Sequence, residues 1–268
     1  MGPGIRIGSV VVAALAAALG AVAPARAAPR PAAVERALEA SGFYAGKTMA
    51  EVAFTGRQAH RPLGARTLRI GAHGFDVAEL ELALAWQGFP SGGIDGRFGP
   101  ELRSALIRFQ RAAALRPDGV AGKTTFARLR RPPRSSPIPL GWPLLLQVGD
   151  RFGPRSSRFH AGIDLPAPAG TAVTASAAGK VTWAAPRGSW GNLVTVDHGR
   201  GVRTMYAHLA AIDVKVGDWV AGGTVLGRVG STGDATGPHL HFEVRVDGAA
   251  IDPLQALVRL PAADLQPG

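Results

Sequence analysis

Hydrophobic and polar positions follow two different periods along the chain. Between residues 70 and 130 the apolar positions recur every three to four residues, as they do on one face of a helix. From about Gly141 they fall instead in short β-branched or alternating runs separated by Gly, Pro and Asp-Gly, which is typical of an antiparallel sheet or sandwich. The stretch between the two regions, RRPPRSSPIPLGWP, is rich in Pro and Ser and predicts a stiff linker that folds onto neither neighbour.

Three helices are predicted in the first region. Asp76 can cap the first helix, with Glu79 three residues on as its capping-box partner. Pro100 suits the first position of the second helix, and residues 124–129 make a short third one. The apolar residues of the first two helices lie at helical spacing: Val77, Leu80, Leu84, Leu102, Ala105, Leu106 and Phe109. These elements predict a compact all-α unit of about 60 residues, which is within the foldable range.

The second region predicts an all-β domain. Its candidate strands are Ala178–Ala184, Leu193–His198, Arg203–His208, Val225–Val229 and His239–Val246. No glycine-rich dinucleotide motif, phosphate-binding loop or GxSxG motif follows a candidate strand, so the sequence has no nucleotide-binding or serine-hydrolase fingerprint. The expected fold class is multidomain: a small all-α three-helix domain followed by an all-β antiparallel, sandwich-like domain.

The first 27 residues have the features of a secretory signal peptide. Arg6 supplies a positive charge, residues 7–23 are apolar, and Ala25-Arg26-Ala27 matches the small-x-small rule for cleavage after Ala27. A retained membrane anchor is the alternative, but an apolar run of about 17 residues rich in Ala and Gly is short for a ~30 Å hydrocarbon core. Residues 28–66 give no clear pattern and are expected to form a linker or a short helix.

Charge and cysteine content limit the possible metal ligands and binding partners. The chain has no Cys, so any metal must be held by His, Asp or Glu. Its formal charge of +11 falls to +9 when Arg6 and Arg26 leave with the signal peptide. A basic exported protein indicates an anionic partner, and a cell-wall polymer fits better than nucleic acid, for which there is no motif. The alternative is an Arg-rich composition without a specific partner, because the arginines are scattered along the sequence.

Two closely spaced histidines in TGPHLHFEV are the first candidate site residues. Strand alternation places His239, His241, Glu243 and Arg245 on one face and apolar residues on the other. At ~3.3 Å per residue the two imidazoles start about 7 Å apart. Both could bind one metal, or one could bind while the other acts on a neighbouring water. Two solvated side chains on a half-exposed strand are the third possibility.

A second motif, FHAGIDLPAP, supplies further candidate ligands. His160 and Asp164 are four residues apart and share a face of an extended chain, with Gly162 allowing an irregular path between them. Imidazole and carboxylate are the ligands that zinc accepts when thiolate is absent, and a catalytic site needs about three of them with one open position. His208, at the end of a strand, can serve as a proton or hydrogen-bond donor near such a metal, or can simply cap the strand.

The helical region resembles the three-helix peptidoglycan-binding domain of bacterial wall hydrolases. The resemblance rests on the Asp-Gly turns at Asp95 and Asp118, the FGP sequence at Phe98 and Phe109-Gln110 in the second helix. The family often has Leu-Gln where this chain has Leu80-Glu81, a mild departure. The resemblance implies that this region binds peptidoglycan.

The β-region resembles the lysostaphin-type (LytM-like) zinc metallopeptidases of bacterial cell walls, from about residue 160 to 254. The resemblance is carried by HAGIDL, WGNLVTVDHGRGVRTMYAHL and VKVGDWVAGGTVLGRVGSTGDATGPHLHFEVRVDGAAIDPL. It implies three ligands for Zn²⁺: His160, Asp164 and His241. It also implies that His239 is the general base for the metal-bound water, and that His208 holds the tetrahedral intermediate or orients the water. His198 lies in the family's HG turn and is expected to be structural.

The resemblance implies a zinc endopeptidase that cuts a peptide bond in the stem or cross-bridge of peptidoglycan. The signal-peptide pattern adds that the protein is secreted or wall-associated, and a monomer is expected because nothing in the sequence suggests a larger assembly. No nucleic acid and no stable membrane insertion after signal removal are expected. The expected boundaries are a signal peptide at 1–27, an uncertain segment at 28–66, a peptidoglycan-binding domain at 67–130, a linker at 131–143 and a metallopeptidase domain at 144–260. The alternatives are a non-catalytic LytM-like activator of a cell-wall amidase and an amidase acting at the sugar–peptide junction.

Overall fold

A computed structural model describes residues 63–155 and 158–258 of the chain. The predicted signal peptide at 1–27 and most of the segment at 28–66 therefore lie outside the described residues. Within the described ranges, no helix is both long enough and apolar enough to cross a membrane. The same ranges contain three α-helices followed by eleven strands, so the predicted order of an all-α unit before an all-β unit is confirmed.

The helical unit contains α1 (Phe75–Trp86), α2 (Pro100–Ala112) and α3 (Lys123–Leu129). Helix α2 begins at the predicted Pro100. The predicted cap of α1 is wrong, because Gly74 occupies the N-cap position and makes no side-chain cap. Asp76 lies inside the first turn and accepts hydrogen bonds from the Arg66 guanidinium at 2.7 and 3.0 Å. The buried Asp76 carboxylate therefore has a charged partner instead of the helix N-terminus.

Helix α1 is buried on two opposite faces. One face packs with α2 and α3 in the core of the helical unit, which includes Val77, Leu80, Leu84, Leu102, Leu106, Phe109 and Phe126. The other face contributes Phe75, Ala78, Leu82 and Ala85 to a second cluster that also contains residues of the β-domain. A helix with apolar residues on opposite faces is typical of a buried position between two layers, and the three acidic residues of α1 are buried with them.

The β-domain consists of one two-stranded and one nine-stranded sheet, with antiparallel pairing throughout both. The strands are β1 Gly153–Arg155, β2 Arg158–His160, β3 Ile163–Pro166, β4 Ala172–Thr174, β5 Gly179–Pro186, β6 Asn192–Asp197, β7 Val202–Ile212, β8 Trp219–Val220, β9 Val225–Val229, β10 His239–Val246 and β11 Ala249–Ile251. Strands β1 and β2 form the small sheet, and β10 lies between β3 and β7 in the large one.

Strand β10 separates the core from a polar face, as its alternation predicts. Leu240, Phe242, Val244 and Val246 lie in the core with residues of β3, β6 and β7. His239, His241, Glu243 and Arg245 take the opposite face. Because β3 alternates in the same way, Ile163 and Leu165 enter the core and Asp164 faces the histidines.

The Pro-rich segment before the β-domain differs from its prediction, because it packs onto the β-domain. Leu140 is fully buried, and its N–H donates to the carbonyl of Ala256 at 3.0 Å. The Trp142 indole donates to the carbonyl of Val258 at 2.8 Å, and Ile138 packs on the same core. Apolar residues at alternating positions 138, 140 and 142 therefore join the segment to the end of the domain despite its prolines.

Candidate metal centre

The candidate ligands come from three neighbouring strands. His160 ends β2, Asp164 lies on β3, and His241 on β10 is the cross-strand partner of Asp164. A Cβ at Gly162 would lie 2.3 Å from the carbonyl oxygen of Phe242, so only glycine allows the chain between His160 and Asp164 to approach β10 this closely. The sequence-predicted set of two histidines and one aspartate is thereby brought together, and each member is buried.

Three acceptor atoms of these residues converge on one point. His160 Nε2 lies 3.1 Å from Asp164 Oδ1 and 3.0 Å from His241 Nδ1. His241 Nδ1 lies 2.9 Å from Asp164 Oδ1. The ring protons of both histidines have other partners, because His160 Nδ1 lies 2.9 Å from the carbonyl of Arg151 and His241 Nε2 lies 3.1 Å from Glu243 Oε1. With those tautomers, three lone pairs face each other, which is favourable only around a cation.

The electrostatics of the buried ligands also favour positive charge between them. Burial alone would raise the pKa of Asp164, but hydrogen bonds with His160 and His241 outweigh it and hold that pKa well below its usual range. Burial would lower the pKa of His241, but hydrogen bonds with Asp164 and Glu243 raise it to about 9. The ligand set therefore favours a positive charge at its centre, as expected where acceptors are arranged for a cation.

The donor set fits Zn²⁺. Zinc in a catalytic site takes three protein ligands from His, Asp or Glu with bonds of about 2.0–2.1 Å, which gives tetrahedral edges of about 3.3 Å between ligand atoms. The three edges here are 2.9, 3.0 and 3.1 Å, a few tenths of an ångström shorter. Two imidazoles and one carboxylate would also leave a fourth position open on the side of the cleft.

The other two predicted histidines stand beside the ligand set. The rings of His208 and His239 lie 4.8 Å apart, and His239 Nε2 lies 3.7 Å from Asp164 Oδ1. Each ring nitrogen Nδ1 has a backbone carbonyl partner: Thr232 for His208 at 2.7 Å and Gly237 for His239 at 2.9 Å. Burial lowers the pKa of His208, with the neighbouring histidines acting in the same direction. In the neutral tautomer that these bonds favour, both histidines present Nε2 as an acceptor.

An unusual backbone conformation turns His208 toward the site. Tyr206 and Leu209 face the core, and Ala207 faces the cleft side. Strict alternation would therefore aim residue 208 into the core. His208 instead has φ of +62°, and the pairing of β7 with its neighbours shifts register close to it. This left-handed conformation is uncommon for a residue with a side chain and is often found at functional sites.

The cleft above these residues has a volume of about 200 Å³. It is lined by Arg155, Arg158, His160, Asp164, Ser189, Trp190, His208, Asp234, Thr236, His239 and His241. All five sequence-predicted site residues therefore lie in one cleft. His73 lies in the helical unit, and His198 bonds to the carbonyl of Ala178 and the hydroxyl of Thr204 outside the cleft. His60 is outside the described residues.

The residues that hydrogen-bond to the candidate ligands and hold them in place were not predicted from the sequence. Glu243 accepts from His241 Nε2 and from the Trp190 indole through Oε1, and from the Arg245 guanidinium through Oε2. Arg155 bridges Asp164 Oδ2 at 3.1 Å and Asp150 at 2.8 Å. The same-face position of Glu243 two residues after His241 was a usable signal. Nothing in the local sequence indicated the long-range contacts of Trp190 and Arg155.

Comparison with known proteins gives a family match for each of two regions. Residues 158–253 match Peptidase family M23, and residues 73–129 match a putative peptidoglycan binding domain. The DD-carboxypeptidase/endopeptidase Mpg of Neisseria meningitidis is 49% identical over 108 residues, which are 40% of this chain and 24% of Mpg. The peptidoglycan DD-endopeptidase ShyA of Vibrio cholerae is 38% identical over 104 residues, 39% of this chain and 24% of ShyA. The chain thus spans about a quarter of the length of these curated relatives.

Solved structures give a similar comparison. The catalytic domain of the antimicrobial peptidase lysostaphin from Staphylococcus simulans has 35% sequence identity with a TM-score of 0.39, and the match covers 41% of this chain and 90% of that domain. A zinc-containing peptidase from Vibrio cholerae has 33% identity with a TM-score of 0.39, over 43% of this chain and 37% of that one.

Proposed function

Since the chain carries a peptidase family M23 domain and a peptidoglycan-binding domain, we propose that it is a zinc-dependent endopeptidase that hydrolyses a peptide bond in the stem or cross-bridge of peptidoglycan. The observation that carries the proposal is the convergence of three buried acceptor atoms beside two further histidines in one cleft. Structural metal sites use all their positions for protein ligands, whereas three ligands and an open position are typical of a catalytic site.

Each ligand has a defined donor atom in this proposal. His160 would bind zinc through Nε2, Asp164 through Oδ1 and His241 through Nδ1, because their other polar atoms are already engaged. When bound, zinc supplies a Lewis acid that activates water near neutral pH and polarises a carbonyl group. Glu243 keeps the proton of His241 on Nε2, and Arg155 keeps Asp164 Oδ2 away from the metal position.

His239 is the proposed general base. Its Nδ1–H is held by the carbonyl of Gly237, so Nε2 is the atom available to accept a proton. That atom lies 3.7 Å from Asp164 Oδ1, at the edge of the ligand set where an attacking water has to sit. After the attack, the same nitrogen can pass the proton to the leaving amine.

His208 is proposed to orient the attacking water. Its pKa is lowered by burial, which favours the neutral ring, and its Nδ1–H is directed at the carbonyl of Thr232. The neutral ring can then accept a hydrogen bond at Nε2 but cannot donate one there. Of the two roles that the resemblance implied, orienting the water therefore has more support than donating to the tetrahedral intermediate. A water between His208 and His239 would direct one hydrogen to each.

The helical unit is proposed to hold the enzyme on its polymeric substrate. Binding of one domain to the wall raises the concentration of cleavable bonds at the other domain. We also propose that the protein is exported, acts as a monomer and works in the wall or periplasm, since its substrate lies there. Export rests on the sequence of residues 1–27 and on the nature of the substrate.

The test uses the mature full-length chain with purified peptidoglycan, with added zinc and with a chelator. Newly exposed amines identify the bond: a cross-bridge or stem amine indicates an endopeptidase, and an N-terminal L-Ala indicates an amidase. His239→Ala should keep zinc and lose turnover, whereas His198→Ala, a matched change outside the cleft, should keep both. Full activity of His239→Ala would refute the assigned role. A folded, zinc-loaded protein that releases no amine would favour the non-catalytic amidase activator.

A further inference from the structure

The hairpin of β1 and β2 carries one candidate ligand but is separate from the main sheet. Among the strands in the described part of the chain, β1 and β2 pair with each other alone, from Gly153 opposite His160 to Arg155 opposite Arg158. An isolated two-stranded hairpin is marginally stable in water and needs a packing partner. The position of His160 therefore depends on what covers this hairpin.

The helical unit supplies that cover. Phe152 and Phe159 of the hairpin region are absent from the main β-core and cluster instead with α1 and the following loop. The Trp86 ring is edge-to-face with Phe159 at 5.3 Å and with Phe152 at 5.9 Å, and the two phenylalanines lie 5.0 Å apart. Such aromatic pairs contribute beyond their buried area, so Trp86 is the central contact between the unit and the hairpin.

Backbone contacts join the two units at further points. Gly93, in the loop after α1, forms a β-bridge with Arg158 of the hairpin. The N–H of Ala250 on β11 donates to the carbonyl of Gly88 at 3.1 Å, and a Cβ at Gly88 would lie 2.3 Å from the Ala250 oxygen. The helical unit therefore meets the β-domain both at the hairpin and at the strand next to β10.

The aromatic contact leads directly to the ligand. The carbonyl that holds the His160 ring belongs to Arg151, one residue before Phe152, and Phe159 immediately precedes His160. A displacement of either phenylalanine would move the carbonyl or the backbone of the ligand. We propose that Trp86 is a positioning residue for His160. The helical unit would then orient a metal ligand in addition to binding the substrate. This inference rests on the proposed function only in taking His160 as a metal ligand.

Full-length Trp86→Leu and Trp86→Phe variants test the proposal. The Trp86 indole N–H has no hydrogen-bond partner in the described residues, so neither change breaks a hydrogen bond. We expect Trp86→Leu to weaken zinc binding by about 10-fold or more, as changes that disturb ligand orientation do. The zinc affinity of Trp86→Phe should lie between those of Trp86→Leu and the parent. Trp219→Leu is the matched control, because Trp219 is 78% exposed on β8. Zinc affinity is measured by competition with a chromophoric chelator.

The readouts separate positioning from general stability. Thermal unfolding identifies variants that are folded at the assay temperature, and kcat and KM are measured on a soluble cross-linked peptide that does not need wall binding. A folded Trp86→Leu protein with the parent zinc affinity overturns the proposal. If Trp86→Leu does not fold, the same criterion applies to Trp86→Phe. Loss of zinc affinity supports the positioning role even in a protein that cleaves no peptidoglycan, so this test is independent of the proposed reaction.

Discussion

Replacing Glu81 with Gln should stabilise the protein in a pH-dependent way. Glu81 lies on α1 with 3% of its surface exposed. Its Oε2 accepts the N–H groups of Asp95 at 3.1 Å and Gly96 at 2.8 Å. Burial nevertheless raises the pKa of this carboxyl to about 8, and the nearby Asp95 carboxylate adds to the effect. A glutamine oxygen could accept the same two N–H groups without a charge.

The size of the effect follows from the difference in proton affinity between the folded and unfolded states. The pKa rises from 4.5 to about 8, and a tenfold change in proton affinity is worth about 1.4 kcal/mol. Below pH 4.5 the carboxyl is protonated in both the folded and the unfolded state, so its ionisation does not lower the free energy of unfolding. Stability is lost as the pH rises from 4.5 to 8, and the loss reaches an upper limit of roughly 5 kcal/mol. Water that penetrates to the ionised carboxylate makes this loss of stability smaller.

Urea unfolding of the parent and of Glu81→Gln between pH 4 and pH 9 measures this difference. The two free energies of unfolding should coincide near pH 4, and the variant should become the more stable protein as the pH approaches 8. Glu101→Gln, an exposed change on α2, controls for the loss of a charge. A Glu81→Gln variant less stable than the parent at pH 8.5 would refute the reasoning, because the two N–H groups would then hold the carboxylate ionised in the fold.

Three other changes test the site. His208→Gly should be about 1 kcal/mol more stable than His208→Ala in urea unfolding, because φ at this position is +62°. In an ordinary strand the alanine variant is the more stable one, and that result here would exclude backbone strain at residue 208. Glu243→Gln should weaken zinc binding by about 10–100-fold by loosening His241; unchanged affinity in a chelator competition would contradict that role. Zinc at about 1,000 times its Kd should stabilise the parent by about 4 kcal/mol, which is measured as a rise in melting temperature. An equal rise for Asp164→Ala, which lacks one proposed ligand, would show that zinc binds elsewhere.

Local periodicity was sufficient to predict the polar face of β10. Side chains in a strand alternate with a period of two, so His239 and His241 could be placed together without knowledge of the rest of the fold. The sequence did not by itself choose between two ligands and a ligand with a base. That assignment came from the resemblance to lysostaphin-type peptidases, and the role of each residue stays a prediction.

Features that depend on long-range contacts could not be predicted. The alternation of β7 would aim residue 208 at the core, and only the left-handed backbone of His208 turns the imidazole to the cleft. Asp76 has the correct spacing for a helix cap, but Arg66 lies close enough to bind it instead. The burial of Leu140 depends on Ala256, which is more than 100 residues away in the chain. For Asp76 and Leu140 a tertiary partner outweighed a local preference.

Because the candidate ligands are far apart in the sequence, the candidate metal centre can assemble only through the long-range strand pairing of the β-domain. His160 and His241 are 81 residues apart, and Asp164 and His241 are 77 apart. Their meeting requires β10 to insert between β3 and β7, which closes long loops and is slow compared with local pairing. A newly made or partly folded chain therefore has all the ligands but no assembled centre. The proposed hydrolytic activity would then require the complete β-domain, and an unfolded or partly folded chain would lack it.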